Sequence, residues 1–320
     1  MRNLSRRLFS LMLLMLLLPG GHTAKAAGTL YDKVYPATLE VLIDGHLAGD
    51  GWFASPQGLA FTAAHLIRNF SKIEVLSPVA GRLPAVLVAT DLSADLALLR
   101  IDRHGRYFPS LPFAEKLPAT GEQLFLLGSP QYRHGLFLSG QLARTTPSFE
   151  WNDLNRCYTQ ILPVQALTPE GTSGAPWVNR DGAVVGMQSG MMAWKEQLMG
   201  IAFMSPAEAA SSLIRDKSNV VMATLGGAFA ESWEVSSGMK IKGPGLAVLW
   251  VNPGSPLAKA GIKPGDVLLT MNKEPLVYRD QLLEMVRKLQ VGSRVQLTVA
   301  TQTDQPRELT VALGNLAQRL

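Results

Sequence analysis

Glu170-Gly171-Thr172-Ser173-Gly174-Ala175-Pro176 is the stretch whose reading decides the first two-thirds of the chain. A serine hydroxyl becomes a useful nucleophile only when a base takes its proton and hydrogen-bond donors hold the oxyanion that forms. A Gly-x-Ser-Gly turn meets the second need. Gly171 lets the backbone bend so that its own N–H and that of Ser173 converge on one small space, and Gly174 leaves room for a substrate. The turn by itself lacks a base and a group to orient it.

Both are found upstream. His65 closes the apolar, strand-like run Gly58-Leu59-Ala60-Phe61-Thr62-Ala63-Ala64-His65, and the small residues before the imidazole leave it room in a cleft. Asp95 stands at the mouth of Leu96-Ala97-Leu98-Leu99, where an acid is either a turn residue or a buried partner that fixes a histidine tautomer. Each of the three is commonplace alone. In the order His, Asp, Ser, each at a strand end, they read as a triad in the chain order of the chymotrypsin-type double barrel. The α/β-hydrolase elbow is excluded, because Ala175 stands where its last glycine belongs. His22, His46, His104 and His134 lack metal-ligand spacing, and no phosphate loop or Cys/His cluster appears, so no metal or organic cofactor is expected.

The surrounding text reads as short strands. Thr38–Ile43 alternates, Gly51–Phe53 and Leu59–Ala63 flank the turn Pro56-Gln57-Gly58, and Lys72–Leu76 and Ala85–Ala89 follow. Asp102–Thr120, punctuated by glycine and prolines, reads as a connection. A second set comprises Gln123–Leu127, Leu136–Ala143, Thr159–Pro163 and the pair Ala175–Val178 and Ala183–Gln188, joined across Asn179-Arg180-Asp181-Gly182. The base thus comes from the first set and the nucleophile from the second, which places the site in a groove between two barrels. A helix capped by Ser205, with Pro206 at its first position, is expected to run to Asp216. Residues 217–320 read as a separate unit: strand Leu246–Val251, short helix Ser255–Ala260, strand Val267–Leu269, a helix over Arg279–Leu289, then strands Arg294–Ala300 and Glu308–Leu313. In the longer helix, Leu282, Leu283, Val286 and Leu289 share one side.

Thr62-Ala63-Ala64-His65, Asp95-Leu96-Ala97-Leu98-Leu99, Gly128-Ser129-Pro130 and Gly171-Thr172-Ser173-Gly174-Ala175-Pro176 resemble, in order, the signature blocks of the HtrA/Deg serine proteases. Gly261-Ile262-Lys263-Pro264-Gly265-Asp266 resembles the PDZ pattern. The resemblance implies a mostly β protein, with a chymotrypsin-like double β-barrel over 27–216 and a PDZ domain over 217–320. It implies an ATP-independent serine endopeptidase of misfolded or damaged envelope proteins, with His65, Asp95 and Ser173 catalytic and the Gly171 and Ser173 amides as oxyanion hole. It also implies a homotrimer, in which Tyr31 and Tyr35 of the N-terminal arm would serve. Two positions depart from the family pattern: Thr172 replaces its Asn or Asp, and Ala175 its second glycine. Both substitutions stiffen the loop. A reading of another class is a catalytically silent or chaperone-like binding protein whose PDZ domain recruits partners.

Specificity follows from the same comparison. Leu167 stands where trypsin-like enzymes carry the acid that holds a Lys or Arg side chain. The implied pocket walls, Gly186–Gly190 with Gly186 and Gln188, and Gly200–Phe203 with Gly200 and Ala202, hold no acid either. An unpaired substrate cation there is costly, so cleavage after Val, Ala or Leu is expected. Met191, Met192 and Trp194 would form a flexible apolar rim or pack in the core. In the second unit, Leu225-Gly226-Gly227-Ala228 is the candidate loop for a peptide's terminal carboxylate, and C-terminal peptides are the expected partners.

Composition sets the compartment. Charged residues at 17% and apolar ones at 47% describe a globular chain rather than a disordered one. Arg2, Arg6, Arg7 and Lys25 supply most of the formal +5, and no basic stripe remains to argue for nucleic acid. Residues 1–26 read as an export signal: a basic start, the apolar run Leu8–Leu18, and Ala24-Lys25-Ala26 as the cleavage site, with a periplasmic destination. Ser5-Arg6-Arg7-Leu8-Phe9 also resembles a twin-arginine signal. Cys157, the sole cysteine, can form no disulfide within the chain and lies in no catalytic motif.

Overall fold

The computed structural model describes residues 28–316 except 69, 103, 236–243 and 302–304, so the expected leader lies outside the described residues. The chain enters through α1 (Leu30–Val34), whose N-terminus is closed by a reciprocal capping box between Thr29 and Asp32. Tyr31 and Tyr35 stack on each other at 5.2 Å, and Tyr31 meets Phe137 edge-on.

Six strands then close a barrel: β1 (Thr38–Ile43), β2 (His46–Phe53), β3 (Leu59–Ala63), β4 (Ile73–Ser77), β5 (Gly81–Asp91) and β6 (Leu96–Ile101), ordered β1-β2-β3-β6-β5-β4. Leu39, Val41, Phe53, Ala60, Val75, Ala97 and Leu99 fill it. β5 runs several residues beyond its sequence signal, because ladder pairing with β4 and β6 continues where side-chain alternation is weak. The β2–β3 turn depends on Gly58. Its φ is +91°, and a Cβ there would lie 2.3 Å from Ile101 O.

The second barrel is built from β7 (Gln123–Gly128), β8 (Leu136–Leu142), β9 (Ser148–Asn152), β10 (Cys157–Gln165), β11 (Pro176–Val178), β12 (Val184–Trp194) and β13 (Gln197–Pro206). The order is β13-β12-β11-β7-β8-β10, and pairing of β10 with β13 closes it around Leu124, Leu126, Val164 and Trp177. β9 pairs only with β10, so the two form a hairpin that projects from the barrel. The helix expected from Ser205 starts later. Ser205 pairs with Met187 as part of β13, Pro206 is the N-cap, and α2 covers Ala207–Asp216. It ends at Lys217, which takes a left-handed conformation.

The last third holds β14 (Ala223–Thr224), β15 (Gly227–Glu231), β16 (Leu246–Val251), α3 (Pro256–Lys259), β17 (Val267–Met271), β18 (Glu274–Pro275), α4 (Arg279–Arg287), β19 (Arg294–Ala300), β20 (Arg307–Ala312) and β21 (Gly314–Asn315). Its sheet runs β15-β16-β17-β19-β20, with β15 at one edge. α4 buries Leu282, Leu283 and Val286 against it. This core does not stop at residue 217. Phe149 and Tyr158, from the β9–β10 hairpin, are buried in the same cluster. Arg287 of α4 reaches back, donating to Tyr158 O at 2.7 Å with its guanidinium 4.3 Å above the Phe149 ring. Burial pulls Arg287 down to about 10, against the nearby Cys157 and Asp91, and leaves it cationic at neutral pH. Among the described residues no helix is long and apolar enough to cross a membrane.

Gly58→Ala forces both a left-handed alanine and a backbone collision. It should destabilise the chain by about 2 kcal/mol or more in urea unfolding, whereas Gly105→Ala, at a positive φ with open space around it, should cost less.

Candidate active site

The turn after β3 carries His65, and a backbone bond from Ala64 N to Asp95 O at 2.8 Å stitches it to the turn before β6. Asp95 adopts φ +54°, a left-handed conformation costing about 1–2 kcal/mol in a non-glycine residue. Its carboxylate is wholly buried and receives four hydrogen bonds. His65 supplies its backbone N–H at 2.9 Å and ring Nδ1 at 2.6 Å, Ser189 of β12 its hydroxyl at 2.6 Å, and Asn155 its amide at 3.0 Å. Nδ1 thereby carries the proton, which leaves Nε2 free to accept one. Desolvation is the largest influence on His65 and favours the neutral ring. The Asp95 charge and hydrogen bond together exceed it, so the imidazole titrates above its ordinary value.

Ser173 is held against β2 from the other barrel. Asp50 N donates to Ser173 O at 2.8 Å. Gly174 has φ +90°, and a Cβ on it would stand 1.9 Å from Asp50 O. A Cβ on Gly49 would lie 2.6 Å from both Leu66 Cδ1 and Ser173 O, so the His65 turn and the Ser173 loop press on one glycine from two sides. Among the described residues no hydrogen bond joins the Ser173 hydroxyl to His65, a contact that tightens in proteases when substrate arrives.

The orientation of the Gly171 amide follows from its peptide unit. Glu170 O accepts from Gln131 N at 3.1 Å, and with a planar trans peptide the Gly171 N–H must point the opposite way, off the 129–132 loop. Neither Gly171 N nor Ser173 N has an acceptor among the described residues. Gln131 and Tyr132 both take positive φ, so strain is stored in the loop that fixes Glu170. The two departures from the family pattern fit one gap. The Thr172 and Ala175 methyl carbons lie 3.4 and 3.2 Å from where Gly128 would carry a Cβ. Thr172 Oγ1 donates to Pro169 O at 3.0 Å, which ties down the loop from within.

Sequence reasoning missed Asn155, Ser189 and Asp50. Asn155 and Ser189 come from distant segments and carry no local signal; Asp50, an acid between Gly49 and Gly51 in a strand, does. The Asp50 carboxyl accepts from Ser129 N at 2.8 Å, Ser129 Oγ donates to Glu40 at 2.9 Å, and His134 meets the same Glu40 oxygen at 2.6 Å. Burial is the largest influence on Asp50. It outweighs the Ser129 hydrogen bonds and, with Glu40 adding to it, pushes the carboxyl up to about 8.

The expected pocket residues do not form one wall. Leu167 is 62% exposed. Gly186 and Ala202 lie inside the second barrel, Gly186 against Ser205 O and Met204, and Ala202 among the core leucines. Gly200 sits at φ +72° in open space. Gln188 is buried directly under the nucleophile loop: its carbonyl accepts from Gly174 N, its N–H donates to Ala175 O, and its side chain bridges Trp177 Nε1 and Thr168 Oγ1. Met192, Trp194, Leu198 and Met199 are exposed at the β12–β13 tip, with Met191 half-buried. In the last third, Gly226 N is bonded to Thr224 Oγ1 and Gly226 O to Asn252 N, Leu225 and Ala228 are buried, and Gly227 lies under Trp250 O. Cys157 is buried in the first barrel's core cluster, its sulfur 3.5 Å from Leu92 O.

A trypsin-like peptidase domain profile matches residues 49–187, and a PDZ domain profile matches 201–313. The chain thus carries a trypsin-like peptidase domain followed by a PDZ domain. It is similar to a "probable periplasmic serine endoprotease DegP-like" of Pseudomonas putida, 29% identical over 78% of this chain and 52% of the relative. A Rhizobium meliloti protein of the same description is 30% identical over 78% of this chain and 50% of the relative. The chain therefore spans about half the length of these relatives. Solved structures with the same fold include the HtrA-type protease AlgW with a decapeptide, at TM-score 0.63, 21% identity and coverage of 90% of this chain and 98% of that one. The serine endoprotease of Yersinia pestis aligns at TM-score 0.59 and 24% identity over 89% and 96%.

Two titrations check the electrostatics. The His65 ring resonance should titrate above the ordinary imidazole value in the intact protein and below it in Asp95→Asn, where only desolvation remains. The raised Asp50 pKa contributes stability below the unfolded-state value that is lost as pH rises through about 8. Asp50→Asn should therefore flatten the fall in melting temperature between pH 5 and 9, and an unchanged slope would exclude Asp50 as its source.

Proposed function

We propose that the chain is an exported serine endopeptidase acting on unfolded or damaged proteins of the bacterial envelope, with a PDZ domain that binds protein C-termini. The observation that carries the reading is the His65–Asp95 pair at 2.6 Å, lying across Gly49 from the Ser173 loop in the groove between two barrels. Ser173 attacks the scissile carbonyl while His65 Nε2 takes its proton and later gives it to the leaving amine. Asp95 holds the ring in the Nδ1–H tautomer and stabilises the cation. The Gly171 and Ser173 amides receive the oxyanion. The loop's freedom from internal acceptors at both amides supports that role. Relatives described as periplasmic support the destination, and a homotrimer belongs to the same reading.

The groove binds extended chain, and nothing acidic among Leu167, Gly186–Gly190 and Gly200–Phe203 would pair a substrate cation. Cleavage should follow Val, Ala or Leu, and a peptide-library scan dominated by Arg or Lys would overturn this specificity. A fluorophosphonate probe should label the protein and not Ser173→Ala. That variant should lose about a million-fold in turnover of an unfolded protein. Equal labelling of both would remove the mechanism and favour the silent binding protein.

A further inference from the structure

Asp50 touches both ends of the loop that carries Ser173. On the Ser173 side the contact is through its backbone. Asp50 N donates to Ser173 O at 2.8 Å, and Asp50 O, held by the Thr62 hydroxyl at 2.7 Å, leaves no room for a Cβ on Gly174. On the Gly171 side the contact is through its carboxyl. Asp50 Oδ2 accepts from Ser129 N at 2.8 Å and packs so closely on Gly128 that a Cβ there would lie 2.7 Å from it. The turn that begins at Ser129 presents Gln131 N to Glu170 O at 3.1 Å, and that bond sets the direction of the Gly171 N–H. One residue of the first barrel thus references the Gly171 and Ser173 amides to each other.

The carboxyl stands where charge is resisted. Asp50 is 2% exposed and receives one backbone N–H, with the Ser129 hydroxyl beside it. Across Ser129 lies the Glu40 carboxylate of β1, which accepts from the Ser129 hydroxyl at 2.9 Å and engages His134 at 2.6 Å. Tyr35 lines the same cavity, of about 200 Å³. Arg133 is exposed and donates to Gln131 O, Glu170 is exposed, and β3 brings no charge. Among the described residues no lysine or arginine pairs with Asp50. A buried acid with a carboxylate for a neighbour and no cation keeps its proton. Desolvation, with Glu40 adding to it, holds this one up to about 8. Ionised, it would repel Glu40 and pull the Ser129 hydroxyl off it, and either movement shifts the turn that carries Gln131. By linkage, a group that binds its proton more tightly in the ordered site favours leaving that site once the proton is lost.

We propose that Asp50 is the positioning residue of the oxyanion site and acts there as a neutral acid, so that the hole is assembled while the proton is on and loosened when it leaves. This rests on the endopeptidase reading above and adds the upper pH limit of turnover. The lower limit belongs to His65, whose neutral ring is the competent form.

The test is the pH dependence of kcat and KM on a small chromogenic substrate, with circular dichroism at each pH to show that the chain is folded. In the wild type kcat should fall about tenfold per pH unit above about 8, with KM little changed, and the rate of fluorophosphonate labelling should fall with the same midpoint. Asp50→Asn keeps an acceptor for Ser129 N and cannot ionise, so it should lose the alkaline fall and keep the acid limb. Asp50→Ala offers no acceptor and should lower kcat about a hundredfold across the range. Recovery of most of that loss by the Asn variant separates positioning from packing. Should Asp50→Ala fail to fold, Glu40→Gln supplies an independent reading. With the neighbouring charge removed Asp50 ionises more easily, so the alkaline fall should move to lower pH although no member of the triad has changed. A wild type without the fall, a fall retained in Asp50→Asn, an effect on KM alone, or a midpoint unmoved by Glu40→Gln overturns the proposal alone. A wild type that neither cleaves nor labels at any pH overturns the endopeptidase reading and the proposal together.

Discussion

A carboxylate with no exposure to solvent is the constraint around which the peptidase half is arranged. Asp95 is acceptor-only, and leaving any of its oxygens unpaired in a dry site would cost several kcal/mol. Its four donors come from three segments: the His65 turn of the first barrel, Ser189 of the second, and Asn155 of the projecting hairpin. None of these can move without exposing a buried charge. The requirement that makes Asp95 a good orienter of His65 also binds the two barrels and the hairpin into one object.

Ser173 is placed by a second constraint, a steric one. β2 passes between the His65 turn and the Ser173 loop, and Gly49 and Gly174 are what allow so close a passage. Because Asp50 N holds Ser173 O while Thr62 Oγ1 donates to Asp50 O at 2.7 Å, the loop's position is referred to the first barrel rather than to its own. The Asp50 side chain extends that reference to Ser129 and so to the strained turn that fixes Glu170 O. The Gly171 amide is thus oriented by contacts that begin in the barrel holding His65. That arrangement explains why Thr172 and Ala175 are tolerated: their methyl groups occupy space that Gly128 leaves open.

What was legible in the sequence was what chemistry concentrates locally. Small residues before His65, an acid opening an apolar strand and a glycine-flanked serine are dictated by nearest neighbours, so their pairing could be read from chain order. The two sets of strands were legible through alternation and turn residues, and the PDZ plan through the resemblance carried by Gly261–Asp266. Ser189 and Asn155 were not, since a hydroxyl and an amide in polar surroundings look like surface until a distant carboxylate is known to need them. Gly186 and Ala202 were read as an open wall by analogy; their burial depends on how Met204 and Ser205 pack, which spacing does not encode. The start of α2 moved by one residue because ladder pairing with Met187 claimed Ser205 before it could cap.

The division expected at residue 217 is blurred by packing. Burying a Phe and a Tyr side chain contributes about 1.5–3 kcal/mol each, and satisfying both polar groups of Phe229 avoids a further desolvation penalty. Those gains accrue to a hairpin that belongs by sequence to the peptidase and by burial to the PDZ core. An edge strand left bare would invite pairing with any extended chain, including another copy, so the Tyr158 contact also covers part of that edge. Since Tyr158 and Asn155 belong to one short hairpin, packing that seats Tyr158 against β15 also holds Asn155 on Asp95, and the peptidase and PDZ cores share one element.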